Sequence, residues 1–274
     1  MDSFTKTSSL AFIGGGNMAS AILGGLIRQG MPARQMMVVE PDEGARSRVQ
    51  ADFGIQVMAQ AQAPLREAEV VVWAVKPQVF HEAAAAVQPW TGSALHLSVA
   101  AGITTDSIGR WLDTERIVRC MPNTPALIGQ GMTGLFARPG AHAADRLQAE
   151  QIIATTGQFL WVQKEALLDA VTALSGSGPA YVFFFLEAMT EAGIGMGLTR
   201  EQAYRLAVVT FQGASALAAA SSEPPQVLRQ RVTSKGGTTH AAISHMEQCG
   251  MQRGFMQALE AARHRAAEMG AAFG

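Results

Sequence analysis

Short and almost continuously apolar runs alternate with amphipathic segments through the first half of the chain. Such runs are typical of strands in a parallel sheet that helices cover on both faces. The predicted strands are Ser9–Ile13, Met36–Glu40, Val70–Ala74, Ala94–Ser98 and Arg116–Cys120, and the predicted helices between them are Asn17–Gln29, Glu43–Phe53 and Val79–Val87. This alternation predicts a doubly wound α/β architecture.

The pattern changes after about residue 165, where strand-like runs end and alanine, methionine and leucine recur at helical spacing. We therefore predict an α/β domain at 1–164 and an all-helical domain at 165–274. Breaks at Gly197–Thr199 and Ser221–Pro225 divide the helical part. The helix near Pro179 is apolar on almost every side, so it must be covered all round. We expect a second copy of the chain to cover it; the alternative is a helix central to its own monomer.

Charge and composition exclude several classes of function. The formal net charge is −1, which gives no electrostatic basis for binding nucleic acid or an anionic membrane. The most apolar window, Ala180–Met189, contains Glu187 and is too short to span a bilayer. Met1–Ser9 lacks the features of a secretory signal, and Cys120 and Cys249 form no C-x-x-C pair. We expect a cytoplasmic protein with reduced thiols and no metal site.

A glycine-rich segment follows the first predicted strand directly. Gly14, Gly16 and Ala19 form the pattern G-x-G-x-x-A, and Asn17 opens a predicted helix. The first glycine permits a tight turn, the second lets the backbone approach a pyrophosphate, and the alanine allows close packing of helix on strand. The helix N-terminus then offers free N–H groups to the phosphates. The segment predicts a dinucleotide site; the alternative is a tight turn without a ligand.

Three further strand ends are candidates for cofactor contact. Glu40 ends the second predicted strand, where an acidic side chain normally accepts hydrogen bonds from the adenosine ribose and repels a 2′-phosphate. A solvated side chain before a turn is the alternative, and Arg46 or Arg48 could instead hold a phosphate, so NADH and NADPH both stay open. Ala74–Pro77 and Ser98–Gly102 follow two other strands, where small residues leave room for a nicotinamide ring.

Two glycines followed by two threonines precede a predicted helix at Ala241–Gln248. The segment Ser234–Thr239 can form a concave nest of backbone N–H groups, with Thr238 or Thr239 as the helix cap. Such a nest suits a carboxylate, because N–H donors and the helix dipole both favour negative charge. From the residues alone, an ordinary capped loop is an equal alternative.

Four segments together resemble the pyrroline-5-carboxylate reductase family. They are Ser234–Thr239 with Ala242, Ile243, Met246 and Glu247, then Met121–Ala126, Ala173–Tyr181 and Ala74–Pro77. Their order and spacing agree over nearly the whole chain. The resemblance implies reduction of 1-pyrroline-5-carboxylate to L-proline by NADPH or NADH, the last step of proline biosynthesis.

The resemblance also implies an N-terminal Rossmann domain and a C-terminal helical domain that interlocks with its twin in a homodimer, from which larger assemblies can be built. It implies that Ser234, Gly237, Thr238 and Thr239 bind the substrate carboxylate, that the Thr239 hydroxyl reaches the ring nitrogen, and that Glu165 lies near the substrate. The implied cofactor contacts are Ile13, Gly14, Gly15, Gly16, Asn17, Met18, Ala74, Val75, Lys76, Pro77, Val99, Ala100 and Ala101.

Two positions depart from the family pattern. Lys235 stands where many members carry proline, and it adds positive charge beside the predicted nest. Glu40 stands where NADPH-preferring members often have a small hydroxyl residue. The cofactor preference therefore stays open.

The residues fit hydride transfer to a C=N bond better than two other functions. A protonated imine is already electrophilic, so positioning and one hydrogen bond to nitrogen suffice. A β-hydroxyacid dehydrogenase would need a catalytic lysine and an asparagine where this chain has Val182 and Leu186. A cofactor-sensing protein would keep the glycine turn but carry a damaged nest, and here both are intact.

Overall fold

The computed structural model describes residues 9–273, and within them the chain forms eight strands and eleven α-helices. The predicted lack of a secretory signal concerns Met1–Ser9, of which residues 1–8 lie outside this range. The strands are β1 (Leu10–Ile13), β2 (Met36–Val39), β3 (Gln56–Met58), β4 (Val70–Trp73), β5 (Leu95–Ser98), β6 (Ile117–Met121), β7 (Gly131–Ala137) and β8 (Gly157–Trp161). The helices are α1 (Asn17–Arg28), α2 (Glu43–Phe53), α3 (Pro77–Val87), α4 (Thr105–Leu112), α5 (Ala143–Ile153), α6 (Leu167–Val171), α7 (Gly178–Gly195), α8 (Arg200–Ala220), α9 (Pro225–Arg231), α10 (Thr238–Gln248) and α11 (Met251–Phe273).

The strands form one sheet in the order β3-β2-β1-β4-β5-β6-β7-β8. Neighbouring strands are parallel except at β6 and β7, which run antiparallel. Leu10 at the start of β1 lies opposite Met36 of β2 and Val70 of β4. The chain winds outward in one direction from β1 and in the other from β4, which confirms the predicted doubly wound fold. The point between β1 and β4 is where such sheets bind ligands.

Alternate side chains of the central strands face two separate cores, as the two-residue repeat of a strand requires. Leu10 and Phe12 are buried with apolar side chains of α1, α2 and α5. Ala11 and Ile13 are buried on the other face with side chains of α3 and α4. Each fully buried large apolar side chain stabilises the fold by about 1.5–3 kcal/mol. This double burial explains why the strands are apolar without interruption.

The chain forms two compact units. Residues up to Ser177 join those from Ala262 onward in the sheet unit, and Gly178–Ala261 form the helical unit. Helix α11 therefore contributes residues to both. In the sheet unit its last part packs at Gly102, where an added Cβ would lie 3.2 Å from Cβ of Met269.

The helical unit contains α7 to α10 and the beginning of α11. Gly193 of α7 packs closely on α8, since an added Cβ would lie 2.6 Å from Cβ of Ala203. Several large apolar side chains of the two helices stay exposed, among them Phe183 at 57%, Phe184 at 66% and Val209 at 58%. No helix within residues 9–273 has both the length and the hydrophobicity to cross a bilayer.

Candidate active site

The glycine-rich turn joins β1 to α1 at the carboxyl edge of the sheet. The Gly14 N–H donates to the Val39 carbonyl at 2.8 Å, and its φ of +96° lies in the left-handed region that favours glycine. An added Cβ on Gly14 would lie 2.6 Å from the Ala74 carbonyl oxygen, whereas one on Gly16 would meet no atom within 4 Å. The open space at Gly16 borders the N-terminus of α1. The turn therefore fits the pyrophosphate of a dinucleotide.

The predicted cofactor residues of neighbouring strands lie side by side at this edge. The Ala74 N–H donates to the Ile13 carbonyl at 2.8 Å, and the Val99 N–H donates to the Trp73 carbonyl at 3.0 Å. Three groups of candidates thus share one edge of the sheet unit: Ile13–Met18, Ala74–Pro77 and Val99–Ala101. Of the side chains in the second group, only that of Lys76 is exposed.

Glu40 is tied to the glycine turn by its side chain. Its Oε2 accepts from the Gly15 N–H at 2.8 Å, and its Oε1 accepts from the Asp42 N–H at 2.9 Å. The Arg46 guanidinium donates to the carbonyl oxygens of Glu40 and Pro41, at 3.0 Å and 2.5 Å. The carboxylate is therefore held in place at the end of β2, where the adenosine ribose of a dinucleotide lies in this fold.

A buried polar chain supports the β4 end of the site. The Trp73 Nε1–H donates to Nδ1 of His96 at 3.0 Å, and Nε2 of His96 lies 3.3 Å from the Thr91 carbonyl. Burial lowers the pKa of His96 to about 4, so the ring is neutral and its proton is on Nε2. The Trp73 ring also stacks on Phe80 with centroids 4.7 Å apart. Because Ala74 follows Trp73 directly, this packing supports the loop that begins there.

Glu165 is the predicted substrate residue of the sheet unit, and its carboxylate has protein partners. Oε1 accepts from the Thr105 N–H and from Nη1 of Arg119, both at 2.8 Å. Oε2 accepts from the Thr105 hydroxyl at 2.6 Å. The Arg119 side chain is only 6% exposed. Sequence reasoning missed both partners, although an arginine inside a buried strand needs an anion nearby.

Two of the segments that carry the family resemblance meet in the sheet unit. Asn123 Nδ2 donates to Oγ and to the carbonyl oxygen of Ser175, at 3.1 Å and 3.2 Å. Asn123 Oδ1 accepts from the Met132 N–H at 2.9 Å. Gly176 packs on Met121, since an added Cβ would lie 2.6 Å from its Cε. Asn123 therefore connects β7 with the π-helical turn Thr172–Gly176.

The predicted substrate loop lies at the N-terminus of α10 in the helical unit. The Gly237 N–H donates to the Ser234 carbonyl at 3.0 Å, and Gly236 has a φ of +75°. An added Cβ on Gly237 would lie 2.6 Å from Oγ of Ser234 and 3.2 Å from the Ser234 carbonyl oxygen, so a larger residue here would displace the Ser234 side chain. The predicted threonine cap is wrong: Gly237 is the cap residue, and Thr238 is the first residue of the helix. The φ of −80° and ψ of 173° at Gly237 supply the extended entry that a capping threonine would otherwise provide.

This loop can bind an anion through its backbone. The first N–H groups of a helix have no intrahelical partner, which leaves those of Thr238, Thr239 and His240 available at the positive end of α10. Thr239 is partly buried, whereas Thr238 and Lys235 are exposed. The two threonines are therefore not equivalent, and Lys235 adds an exposed positive charge to the loop.

A doubly wound sheet with a glycine turn at its switch point is typical of the dinucleotide-binding domain of NAD(P)-dependent oxidoreductases. Residues 9–102 match the family described as NADP oxidoreductase coenzyme F420-dependent, and residues 165–269 match pyrroline-5-carboxylate reductase dimerisation. The pyrroline-5-carboxylate reductase of Pseudomonas aeruginosa is 45% identical over 96% of this chain and 97% of its own. The chain belongs to the pyrroline-5-carboxylate reductase family. Because it carries the dimerisation domain, the chain forms a homo-oligomer. As a member of this family, it acts on a small-molecule substrate.

Solved structures agree with this assignment. The pyrroline-5-carboxylate reductase of Coxiella burnetii has a TM-score of 0.89 at 38% identity, covering 96% of this chain and 98% of that one. The Plasmodium falciparum pyrroline carboxylate reductase, solved with NADP bound, has a TM-score of 0.87 at 28% identity. It covers 97% of this chain and all of its own.

Proposed function

We propose that this chain reduces 1-pyrroline-5-carboxylate to L-proline with NADH or NADPH, as the last step of proline biosynthesis. The observation that carries the proposal is the N-terminus of α10, where Gly237 exposes backbone N–H groups and Thr239 adds a partly buried hydroxyl. A small imino acid presents a carboxylate and a ring nitrogen to such a loop.

The cofactor is held by the edge of the sheet unit. The turn at Gly14, Gly15 and Gly16 lets a pyrophosphate approach the N-terminus of α1, whose first backbone N–H groups would bind it. The N–H groups of Gly14 and Gly15 already donate to Val39 and Glu40. The loops Ala74–Pro77 and Val99–Ala101 leave room for the nicotinamide ring. When bound, the reduced nicotinamide supplies the hydride that is transferred to the imine carbon.

The substrate is positioned by its carboxylate and its nitrogen. Ser234 and the N–H groups of Thr238 and Thr239 bind the carboxylate, while the Thr239 hydroxyl orients the ring nitrogen. Gly237 leaves room for the carboxylate, because it has no side chain and its own N–H donates to the Ser234 carbonyl. Since a protonated imine is already electrophilic, these contacts need no histidine–carboxylate pair beside them.

Glu165 is proposed to lie near the substrate, as the resemblance implies. A carboxylate offers about four acceptor positions, and Thr105 and Arg119 donate three hydrogen bonds to this one. One position on Oε2 therefore remains for a donor such as a ring N–H.

Exposed apolar side chains support a proposal for the assembly. We propose a homodimer as the smallest unit, because the exposed apolar side chains of α7 and α8 need cover. Larger assemblies would be built from such dimers. We assign residues 1–164 to a dinucleotide-binding domain and residues 165–274 to a domain for substrate binding and dimerisation.

The cysteines bear on the compartment. Cys120 and Cys249 are both unpaired, which supports a reducing compartment such as the cytoplasm.

The test is an assay of nicotinamide absorbance with 1-pyrroline-5-carboxylate and each reduced cofactor. We expect oxidation of the cofactor that depends on the imino acid and produces proline. 1-Pyrroline lacks the carboxylate and is the matched control, so it should react with a much higher KM. Equal KM values for the two imines would show that the carboxylate is not recognised. No turnover with either cofactor would contradict the proposed reaction.

A further inference from the structure

The Glu40 carboxylate is anchored at both oxygens by the protein backbone. The Gly15 N–H binds Oε2 at 2.8 Å, and the Asp42 N–H binds Oε1 at 2.9 Å. One donor belongs to the glycine turn and the other to the entry of α2. A rotation of the side chain away from the turn would break both hydrogen bonds, and hydrogen bonds to a charged group are among the stronger ones in proteins. The negative charge is therefore fixed at this position.

The fixed charge lies at the end of β2, which is the ribose end of a dinucleotide bound to this turn. A carboxylate with both oxygens anchored still has acceptor positions free for the ribose 2′- and 3′-hydroxyls. It opposes a 2′-phosphate, because two anions at hydrogen-bonding distance repel and the carboxylate cannot rotate away without losing its backbone partners.

Arg46 is a cation placed beside this carboxylate. Its Nη1 is held by the carbonyl oxygens of Glu40 and Pro41, at 3.0 Å and 2.5 Å. The hydrogen bond to the Glu40 carbonyl places the guanidinium beside the Glu40 backbone, and Arg46 is partly buried there. With Glu40 present, the positive charge of Arg46 offsets part of the repulsion between the Glu40 carboxylate and a 2′-phosphate. With Glu40 replaced by a neutral residue, it is a ready partner for a 2′-phosphate.

We propose that the anchored Glu40 is the residue that makes this enzyme prefer NADH to NADPH, and that Arg46 limits the size of the preference. The proposal rests on the proposed function, because it concerns the cofactor of the same reaction. It assigns the preference to one carboxylate and its two backbone donors.

The test is calorimetric titration of the apoenzyme with NADH and with NADPH, so that binding is measured without turnover. We expect NADH to bind at least about tenfold more tightly. Glu40→Ser and Glu40→Gln should remove this difference by improving NADPH binding. Glu43→Gln is the matched control, because Glu43 is an exposed acid in the first turn of α2. Its ratio of NADH affinity to NADPH affinity should equal that of the wild type. In the Glu40→Ser background, Arg46→Ala should abolish the gained NADPH affinity.

The outcomes separate the proposals. Wild-type enzyme that binds both cofactors equally, or NADPH more tightly, would overturn the preference and leave the reductase function intact. An unchanged ratio in folded Glu40→Ser and Glu40→Gln would show that Glu40 does not set it. If the variant with both Glu40→Ser and Arg46→Ala keeps the gained NADPH affinity, Arg46 does not bind the 2′-phosphate. Failure of both cofactors to bind the wild type would overturn this inference together with the proposed function.

Discussion

The buried histidine of the sheet unit makes the stability of this protein depend on pH in a calculable way. His96 accepts a hydrogen bond from Trp73 and lies against the Thr91 carbonyl, an arrangement that requires the neutral ring. Burial lowers the pKa of His96 from 6.5 to about 4. The unfolded chain therefore binds a proton at this residue at a higher pH than the folded chain does.

The sign and size of the effect follow from these two pKa values. Above pH 6.5 the ring is neutral in both states, and its contribution to stability is fully present. As the pH falls from 6.5 through 4, the unfolded state is protonated first, and the free energy of unfolding decreases by about 3 kcal/mol in total. From about pH 7 to about pH 5 the decrease due to His96 is about 2 kcal/mol.

The measurement is denaturant unfolding monitored by tryptophan fluorescence at both pH values and at one protein concentration, because an oligomer's stability depends on concentration. His96→Asn keeps an acceptor for Trp73 but has no group that titrates in this range. It should be less stable than the wild type at neutral pH, and its loss on acidification should be smaller by about 2 kcal/mol. His81→Asn removes an exposed histidine and is the control for other titrating groups. Parallel pH dependence in wild type and His96→Asn would refute the reasoning.

Three further predictions concern the cofactor, the substrate and the assembly. Gly16→Val should abolish binding of both cofactors while the fold persists, because a Cβ at Gly16 meets no protein atom within 4 Å. Gly14→Val should instead lower the unfolding temperature, because a Cβ there would lie 2.6 Å from the Ala74 carbonyl oxygen. Normal cofactor titrations of a folded Gly16→Val variant would contradict the placement of the pyrophosphate at Gly16. Thr239→Ala should lower kcat about ten- to a hundredfold and more than it raises KM, while Thr238→Ala should be mild, and steady-state kinetics check both. Light scattering at micromolar concentration should give at least twice the chain mass of 29.0 kDa, and Phe184→Glu should reduce it; a wild-type monomer would rule out the dimer.

The sheet and the helix breaks could be predicted from sequence because their signals are local. β1, β2, β4, β5 and β6 lie within one residue of the predicted strands, since burial on both faces leaves an uninterrupted apolar run. The breaks at Gly197–Thr199 and Ser221–Pro225 separate α7 from α8 and α8 from α9 as predicted. Glycine and proline act on the backbone at their own positions, so no tertiary information was needed.

The rest depends on contacts between residues far apart in sequence. β3, β7 and β8 were not predicted. β8 contains the apolar residues Phe159–Trp161, but its side chains alternate between exposed and partly buried, as on an edge strand. The partners of Glu165 were missed because Arg119 is 46 residues away, and pairing at that distance leaves no pattern in either segment. The role of Glu40 was left open for the same reason, since its bond to Gly15 spans 25 residues. The threonine cap failed because glycine can itself adopt the cap conformation.

The discontinuous sheet unit has a consequence for biosynthesis. The loop after β5 contains Gly102, and Met269 packs against this glycine from the last turns of α11. When the first 177 residues have left the ribosome, all eight strands are available, but the segment that covers Gly102 has not yet been made. The nascent sheet can therefore form early, whereas the loop of Val99–Ala101 gains its final support only after the helical unit has been synthesised. We expect cofactor binding to be acquired at the end of translation, after most of the fold is in place.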